Sequence, residues 1–411
     1  MTEESYATNW GQYRLVIGMS ILQSLIWGLV IAMFPLFARE LGADEFAIGG
    51  LAAVHPLLSV LGAVPMGMLA ARLSRKAMFA AAYTLSLLAA GAYSITSSAL
   101  ALVIPQVLFG LSVVAYWPTQ HAHISDSVNP EQRARLFGLS MGLTGLGGVA
   151  GPIIAGRIAD TLGFQVMYWF FAGVAVAGLV LCTQVRDPGT DTTIPALRTR
   201  GVSLAATKAL LVRSSLRFVF LATIALFIQW GLRDTFLPLY AADLNLSRTH
   251  IGALATFGTI GMSGTRLLMG IFGRRLPGGR YVLAFVALGA LATLAVPALG
   301  TFAGLAAVSL VAGIGSGAAV PLNLTNVANA TSRQERPMAM SLETAASASG
   351  RLFGTLIFGW LASRSGIPVV FIAGNLTVLA MVAVLARMPA PGVSAGIAQD
   401  PAAGRPAGRQ T

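Results

Sequence analysis

The sequence predicts an all-α integral membrane protein of twelve transmembrane helices arranged as two repeats of six. Three observations lead there. Of 411 residues, 55% are hydrophobic and only 10% charged, and the mean hydropathy is +0.74, values outside the range of soluble domains. The apolar runs are about 20 residues long and do not alternate, which suits helices crossing a bilayer and excludes membrane strands. The chain also repeats itself, because a displacement of 203 residues brings its halves into register without a gap.

In that register Trp27 and Gly28 align with Trp230 and Gly231, Pro35 with Pro238, Gly49 with Gly252, Gly67 with Gly270 and Arg72 with Arg275. Gly110 aligns with Gly313, Pro118 with Pro321 and Arg133 with Arg336, while Gly147, Gly151, Gly156 and Gly163 fall on Gly350, Gly354, Gly359 and Gly366. These residue types have particular backbone, packing or charge needs. The match therefore reads as a duplicated membrane unit with a path between its copies.

The first run, about 14–38, follows Glu3 and Glu4 without a small-residue cleavage site, so it is expected to be retained as a helix. The second and third, about 47–70 and 78–97, flank the basic turn of Arg72, Arg75 and Lys76. The fourth and fifth, about 99–121 and 136–158, flank Arg133 and Arg135. The sixth, about 164–184, ends near Cys182, the only cysteine, which cannot form an internal disulfide or a Cys-rich metal site. The second set covers about 217–240, 250–272, 281–299, 302–325, 338–361 and 367–388. Between the sets, Asp187, Pro188, Gly189 and Pro195 precede a mixed basic and apolar stretch, which reads as a flexible linker and a short surface helix. The Pro-, Ala- and Gly-rich end reads as disordered. The chain thus divides into a terminal segment 1–13, a bundle 14–184, a linker 185–216, a bundle 217–388 and a tail 389–411.

A net charge of +12 invites a nucleic-acid reading, but the distribution of basic residues argues against it. Of 27 Lys and Arg residues, 20 fall in or beside the loops on the side of the termini, four on the opposite side and three (Arg233, Arg266, Arg351) inside spans. This is the positive-inside pattern, so both termini and the linker are expected in the cytoplasm and the protein in the inner or plasma membrane. Contact with anionic lipids follows from the same charges. The sequence holds no phosphate-cradling Gly-x-x-x-x-Gly-Lys, no convergent catalytic set and no metal constellation among its four histidines, so no cofactor and no enzymatic activity are expected.

The loop after the second run reads Gly67-Met-Leu-Ala-Ala71-Arg72-Leu-Ser74-Arg75-Lys76, with a degraded copy at Gly270 to Arg280. This resembles the signature turn of the major facilitator superfamily, and span count, linker and duplication extend the likeness over the whole chain. Ala71 stands where that family carries an acidic residue and Ser74 where it carries a glycine, which implies an altered latch; Asp126 could instead pair with Arg72, Arg133 or Arg135. In the fifth run, Gly147 to Gly156 resembles the glycine-proline motif of exporters, with Gly151 and Pro152 favouring close helix contact and a bend. Ala155 replaces its usual glycine, and Gln106 stands where an exporter arginine would be.

The resemblance implies a cavity lined mainly by spans one, four, seven and ten. It directs attention to Gln23 and Trp27, to Tyr116, Trp117 and Gln120, to Gln229, Trp230 and Arg233, and to Asn323 and Asn326 as substrate contacts. Ionisable residues inside spans cost ~3 kcal/mol on insertion scales, so each calls for a partner or a function. Arg233, Asp234, Arg266, Glu343 and Arg351 all lie in the second half, opposite the uncharged Val30, Ile31, Ala63, Ser140 and Gly148. Neighbours on a helix diverge by about 100°, so Arg233 and Asp234 are not expected to form an ideal pair. Asp234 is the leading proton site, with Glu343 and His55 as further candidates, and Arg233 is the leading anchor for an anionic group. A structural network of the same residues, a histidine satisfied within a seam, and snorkelling of Glu343 and Arg266 are the competing readings. The implied function is a monomeric secondary transporter that exports a small organic molecule in exchange for protons. Uptake by proton symport and a transporter-like sensor are the alternatives.

Overall fold

The computed structural model describes residues 8–70, 73–129, 132–186, 208, 210–272, 279–332 and 335–389. Most of the linker, the tail and the turn carrying Ala71 and Arg72 lie outside the described residues. So do the surroundings of Gly67, Asp126, Arg133 and Arg135.

Twelve long helices run through the described residues. In the N-terminal bundle these are α1 (Trp10–Glu40), α2 (Glu45–Ala70), α3 (Arg75–Ile95) and α4 (Val103–Ser127). The stretch Arg133–Cys182 then breaks at Gly163, where φ is 85° and ψ 169°, into α5 (133–162) and α6 (164–182). In the C-terminal bundle they are α7 (Ser214–Asp243), α8 (Arg248–Phe272), α9 (Tyr281–Leu294), α10 (Phe302–Asn329), α11 (Arg336–Ser365) and α12 (Ile367–Ala386). Nine described stretches are long and apolar enough to cross a membrane; one of them, Gly138–Cys182, spans 45 residues and contains both α5 and α6. The two helices that fall short by composition are α8 and α11, which carry Arg266, Glu343 and Arg351. The order of helices agrees with the expected twelve spans.

The 203-residue register is visible in backbone geometry. Gly163 and Gly366 are both left-handed, with φ of 85° and 83°, and each lets two helices abut without a loop. Gly42 and its counterpart Asn245 are likewise left-handed, at 84° and 59°, a conformation that asparagine tolerates better than most residues. Pro35 and Pro238 lie inside α1 and α7, and Pro118 and Pro321 inside α4 and α10, where each removes a helix hydrogen bond and permits a bend.

Packing repeats in the same register. A Cβ on Gly151 would lie 2.5 Å from the Leu25 carbonyl of α1, and one on Gly354 would lie 2.6 Å from the Ile228 carbonyl of α7. Gly147 and Gly350 meet Ile21 and Ile224 one turn away. Each bundle is therefore locked by a seam in which the backbones touch through glycine. Between the bundles α2 packs on α11 and α5 on α8. There Gly49 faces Thr355 and Gly359, while Gly252 faces Pro152 and Gly156 faces Arg248.

The end carrying the chain termini is fastened within each bundle. Tyr13 donates to the Leu136 carbonyl at 2.7 Å, and Ser74, at the position where the signature carries a glycine, caps α3 by accepting from the Ala77 amide at 3.1 Å. Arg213 forks onto Glu335 at 2.8 and 3.1 Å and donates to the Ala330 carbonyl at 3.0 Å. The Arg213 hydrogen bonds, helped by those from Ser332, pull the Glu335 carboxyl from 4.5 down to about 2.

Two outcomes are expected. Gly151→Ala should lower thermal stability in detergent by ~1–3 kcal/mol, whereas Gly18→Ala, with nothing near its added methyl, should leave stability unchanged or raise it slightly. Because the folded pKa of Glu335 is depressed, its contribution is complete above about pH 4.5 and disappears as pH falls to about 2. Arg213→Gln should remove that acid-labile component from a pH series of melting temperatures.

Candidate functional site

Between the bundles lies a cavity of about 580 Å³, a volume suited to a small organic ligand. Trp27, Trp117, Gln120, Trp230, Arg233 and Asp234 line it, and Arg351 of α11 joins them. An adjoining cavity of about 390 Å³ shares Trp27, Trp117, Trp230 and Arg351 and reaches His55 between α2 and α4.

Charge converges where the two cavities meet. Arg351 Nη2 donates to Asp234 Oδ2 at 2.9 Å, and Arg233 Nε and Nη2 both approach Asp234 Oδ1, at 3.3 and 3.2 Å. The neighbours on α7 thus do touch, but two donors crowd one oxygen, and the shorter bond comes from α11. The guanidinium carbon of Arg351 lies 5.6 Å from the Trp27 ring centre and 5.5 Å from that of Trp230. The repeat-related indoles therefore flank one cation, one from each bundle, within cation–π range. Two guanidiniums share one carboxylate, so the group carries one positive charge in excess. Arg233 also reaches α8, with Nη1 3.9 Å from the Cβ position of Gly258. Gly258 is the repeat counterpart of His55, and its lack of a side chain leaves room for that guanidinium.

His55 packs edge-on against Trp27 at 4.9 Å. Both its ring nitrogens are buried without a hydrogen-bond partner. With Gln106, Asp234 and Arg351 it borders a chamber of about 30 Å³. Glu343 lies elsewhere, in the seam of α7 and α11, where Thr223 Oγ1 donates to it at 3.4 Å. No cation pairs with it among the described residues.

Several residues expected in the cavity are turned away from it. Gln23 donates to Ser112 Oγ at 3.3 Å, and the Tyr116 hydroxyl bonds Ser20 Oγ at 3.1 Å. Gln229 points at Gly289, where a Cβ would lie 2.7 Å from its Oε1. Asn323 donates to the Val219 carbonyl at 3.1 Å and to Thr223, and Asn326 holds Gly279 through both amide and carbonyl. Gln23, Tyr116, Asn323 and Asn326 are held away from the cavity by hydrogen bonds, as buried amides and hydroxyls generally are, while Gln229 packs against α9 with its Nε2 unpartnered. Of α10 only Ser309 reaches the large cavity, while α5, α8 and α11 contribute more than the four-span expectation allowed. Arg266 and Arg351 both line the cavity, although neither stands among the substrate contacts expected from the sequence. Both are flagged there as charges inside spans that call for a partner or a function, Arg351 next to Gly350 in a helix seam opposite the neutral Gly148.

The end opposite the termini is sealed. Arg39 Nη1 pairs with Asp243 Oδ1 at 2.6 Å, and Arg248 pairs with Glu40, both pairs joining the bundles. Asp160 at the end of α5 accepts from the Arg248 and Thr249 amides at 2.8 and 2.7 Å and from the Thr249 hydroxyl. A carboxylate of one bundle thus caps the first turn of a helix in the other, where amides are unsatisfied and the helix dipole is positive. Ion pairs that join the bundles lie at this end among the described residues. The large cavity instead runs from Pro152 and Leu254 toward Met141, His121 and Arg266, which lie nearer the end of the termini.

Twelve helices in two repeats, a central cavity between them and a seal at one end define a multi-pass membrane protein with the architecture of a transporter. The chain belongs to the Major Facilitator Superfamily, whose profile matches residues 16–302 and 219–408. It is 25% identical over 238 residues to the quinolone resistance protein NorA of Staphylococcus aureus, a match covering 57% of this chain and 59% of that protein. The chain therefore spans just under three-fifths of the length of this relative. Among solved structures, a mutant of the nucleoside transporter NupG aligns with a TM-score of 0.73 and 14% identity over 91% of this chain and 99% of that one. An inward-facing bacterial homologue of the human lysosomal transporter Spinster aligns at 0.69 and 14% over 94% and 96%.

Asp160→Ala removes the cross-bundle cap, a loss of ~1 kcal/mol that should raise the ratio of open to sealed molecules at this end about fivefold. Spin labels at Leu162→Cys and Ser365→Cys in a Cys182→Ser background read the separation directly. An unchanged distance distribution would show that the cap does not hold the seal.

Proposed function

We propose that this protein moves a small organic molecule bearing an acidic group across the plasma membrane by rocking its two bundles about the central cavity. The observation that carries this reading is the Arg351 guanidinium set between Trp27 and Trp230, with one cation in excess beside it. The indoles offer flat apolar faces to a ring, and the guanidiniums offer charge-assisted hydrogen bonds to a carboxylate. With the termini in the cytoplasm, the conformation is sealed outside and loads from inside.

Export by proton exchange is the direction supported by the glycine-proline stretch of α5 and by the likeness to NorA. A second reading, uptake together with a proton, is favoured by the charge centre itself. Asp234 competes with any incoming carboxylate for the same two guanidiniums. Protonating it removes the competitor and increases the positive charge, so proton and anion assist each other's binding, and by linkage the assistance is mutual. Proton exchange with an anion would then require a carboxyl away from the guanidiniums, a role that Glu343 fits.

A quinolone, which joins an aromatic body to a carboxylate, is a suitable probe. Accumulation in inverted vesicles with an acid interior would support export. Accumulation only in right-side-out vesicles with acid outside would support symport, and no flux in either would overturn the assignment. Arg351→Gln should weaken binding by about 10- to 100-fold, the range of a hydrogen bond to a charged group. Under the symport reading, Asp234→Asn should abolish gradient-driven flux while sparing exchange; retained coupling would remove it as the proton site.

A further inference from the structure

We infer that the large cavity holds a second anion-binding subsite at Arg266, so that its preferred ligand is an elongated molecule with an acidic group at each end. The inference rests on the acid-binding reading of the charge centre and extends it. Arg266 of α8 lines the same cavity on the side of the termini. Unlike Arg233 and Arg351, which share Asp234, it has no carboxylate partner among the described residues. Its Nε is buried and without a hydrogen-bond partner.

A half-buried guanidinium with no carboxylate beside it and a buried, unpartnered Nε is costly inside a span unless something polar comes to meet it. The surroundings suit an anion. Thr144 of α5 lines the same cavity, and its hydroxyl is also buried and unpartnered. Close packing brings α5 and α8 together, since Gly145 faces Ser263 with a Cβ position 2.6 Å from Oγ, and Gly142 faces Leu267 at 2.8 Å. One donor therefore belongs to each bundle.

Spacing decides the ligand's shape. Arg233 lies beside Gly258 of α8. Positions 258 and 266 are separated by about 12 Å along the helix axis at ~1.5 Å per residue. Cations at both levels of one cavity fit a rigid dianion with its acid groups on the order of 10 Å apart, the aromatic body lying between them. A lipid phosphate is the other source of an anion at this depth.

The test compares biphenyl-4,4′-dicarboxylate with biphenyl-4-carboxylate, both titrated calorimetrically onto the full-length protein in dodecyl maltoside and again in phospholipid nanodiscs. The dianion should bind roughly tenfold more tightly than the monoacid, as one added charge-assisted hydrogen bond implies. Arg266→Gln should erase that preference and leave monoacid binding unchanged, Arg266→Lys should retain part of it, and Arg351→Gln should weaken both ligands. Equal affinities in the wild type, a preference that survives Arg266→Gln, or an equal loss of both ligands in that variant would each overturn the subsite. A preference seen in maltoside but lost in nanodiscs would assign Arg266 to a lipid headgroup and overturn it as well. If neither acid binds the wild type, the acid-binding reading of the charge centre itself fails.

Discussion

Contact of backbone with backbone through glycine is the constraint on which this molecule depends, and it is used in two ways. Within the bundles, Gly147 and Gly151 against α1 and Gly350 and Gly354 against α7 leave no room for even a methyl group. Such contacts hold only one helix arrangement, so each bundle behaves as a unit. Between the bundles, Gly49, Gly156 and Gly252 make the same kind of approach at one end. That seal is completed by partly exposed ion pairs, each worth ~0–1 kcal/mol. Units that are internally locked and mutually latched by weak terms are joined by little that resists a tilt of one against the other.

The charge centre lies within one bundle. Arg233, Asp234 and Arg351 all belong to the C-terminal bundle, so the ion pairs persist whichever way the bundles tilt. The N-terminal bundle contributes Trp27, an aromatic face without charge, whose contact with Arg351 spans the dividing plane. Buried arginines without Asp234 would be uncompensated cations in a poorly polarisable place, so the aspartate is structural to the fold even where it also serves transport.

The architecture was largely legible in the sequence because its determinants are local or periodic. Long apolar runs give helices, and glycine, proline and tryptophan repeated at one offset give the duplication. The same offset then appears in the left-handed pairs Gly42 with Asn245 and Gly163 with Gly366. The site was legible in part. Trp27, Trp230, Arg233 and Asp234 were recognised through repetition or the cost of burial, and they do meet at the cavity. Gln23, Tyr116, Gln229 and Asn323 lie within the spans but face the seams, and Asn326 lies at the end of α10, where it holds Gly279 ahead of α9. A helix that is apolar around its whole circumference carries no signal of rotation, so height could be read where direction could not. Arg351 shows the converse, a residue whose charge was evident but whose helix was not expected to line the path.

The seal at the end opposite the termini has a consequence for the environment on that side. Arg39, Glu40, Asp243 and Arg248 are between 29% and 51% exposed, so dissolved ions reach them. Charges in such positions are screened over about 8 Å at physiological ionic strength and over shorter distances in stronger salt. The buried centre of Arg233, Asp234 and Arg351 is shielded from the same ions by the bundles. Salt on that side therefore weakens the ion pairs that close the seal, while those of the central site lie beyond its reach.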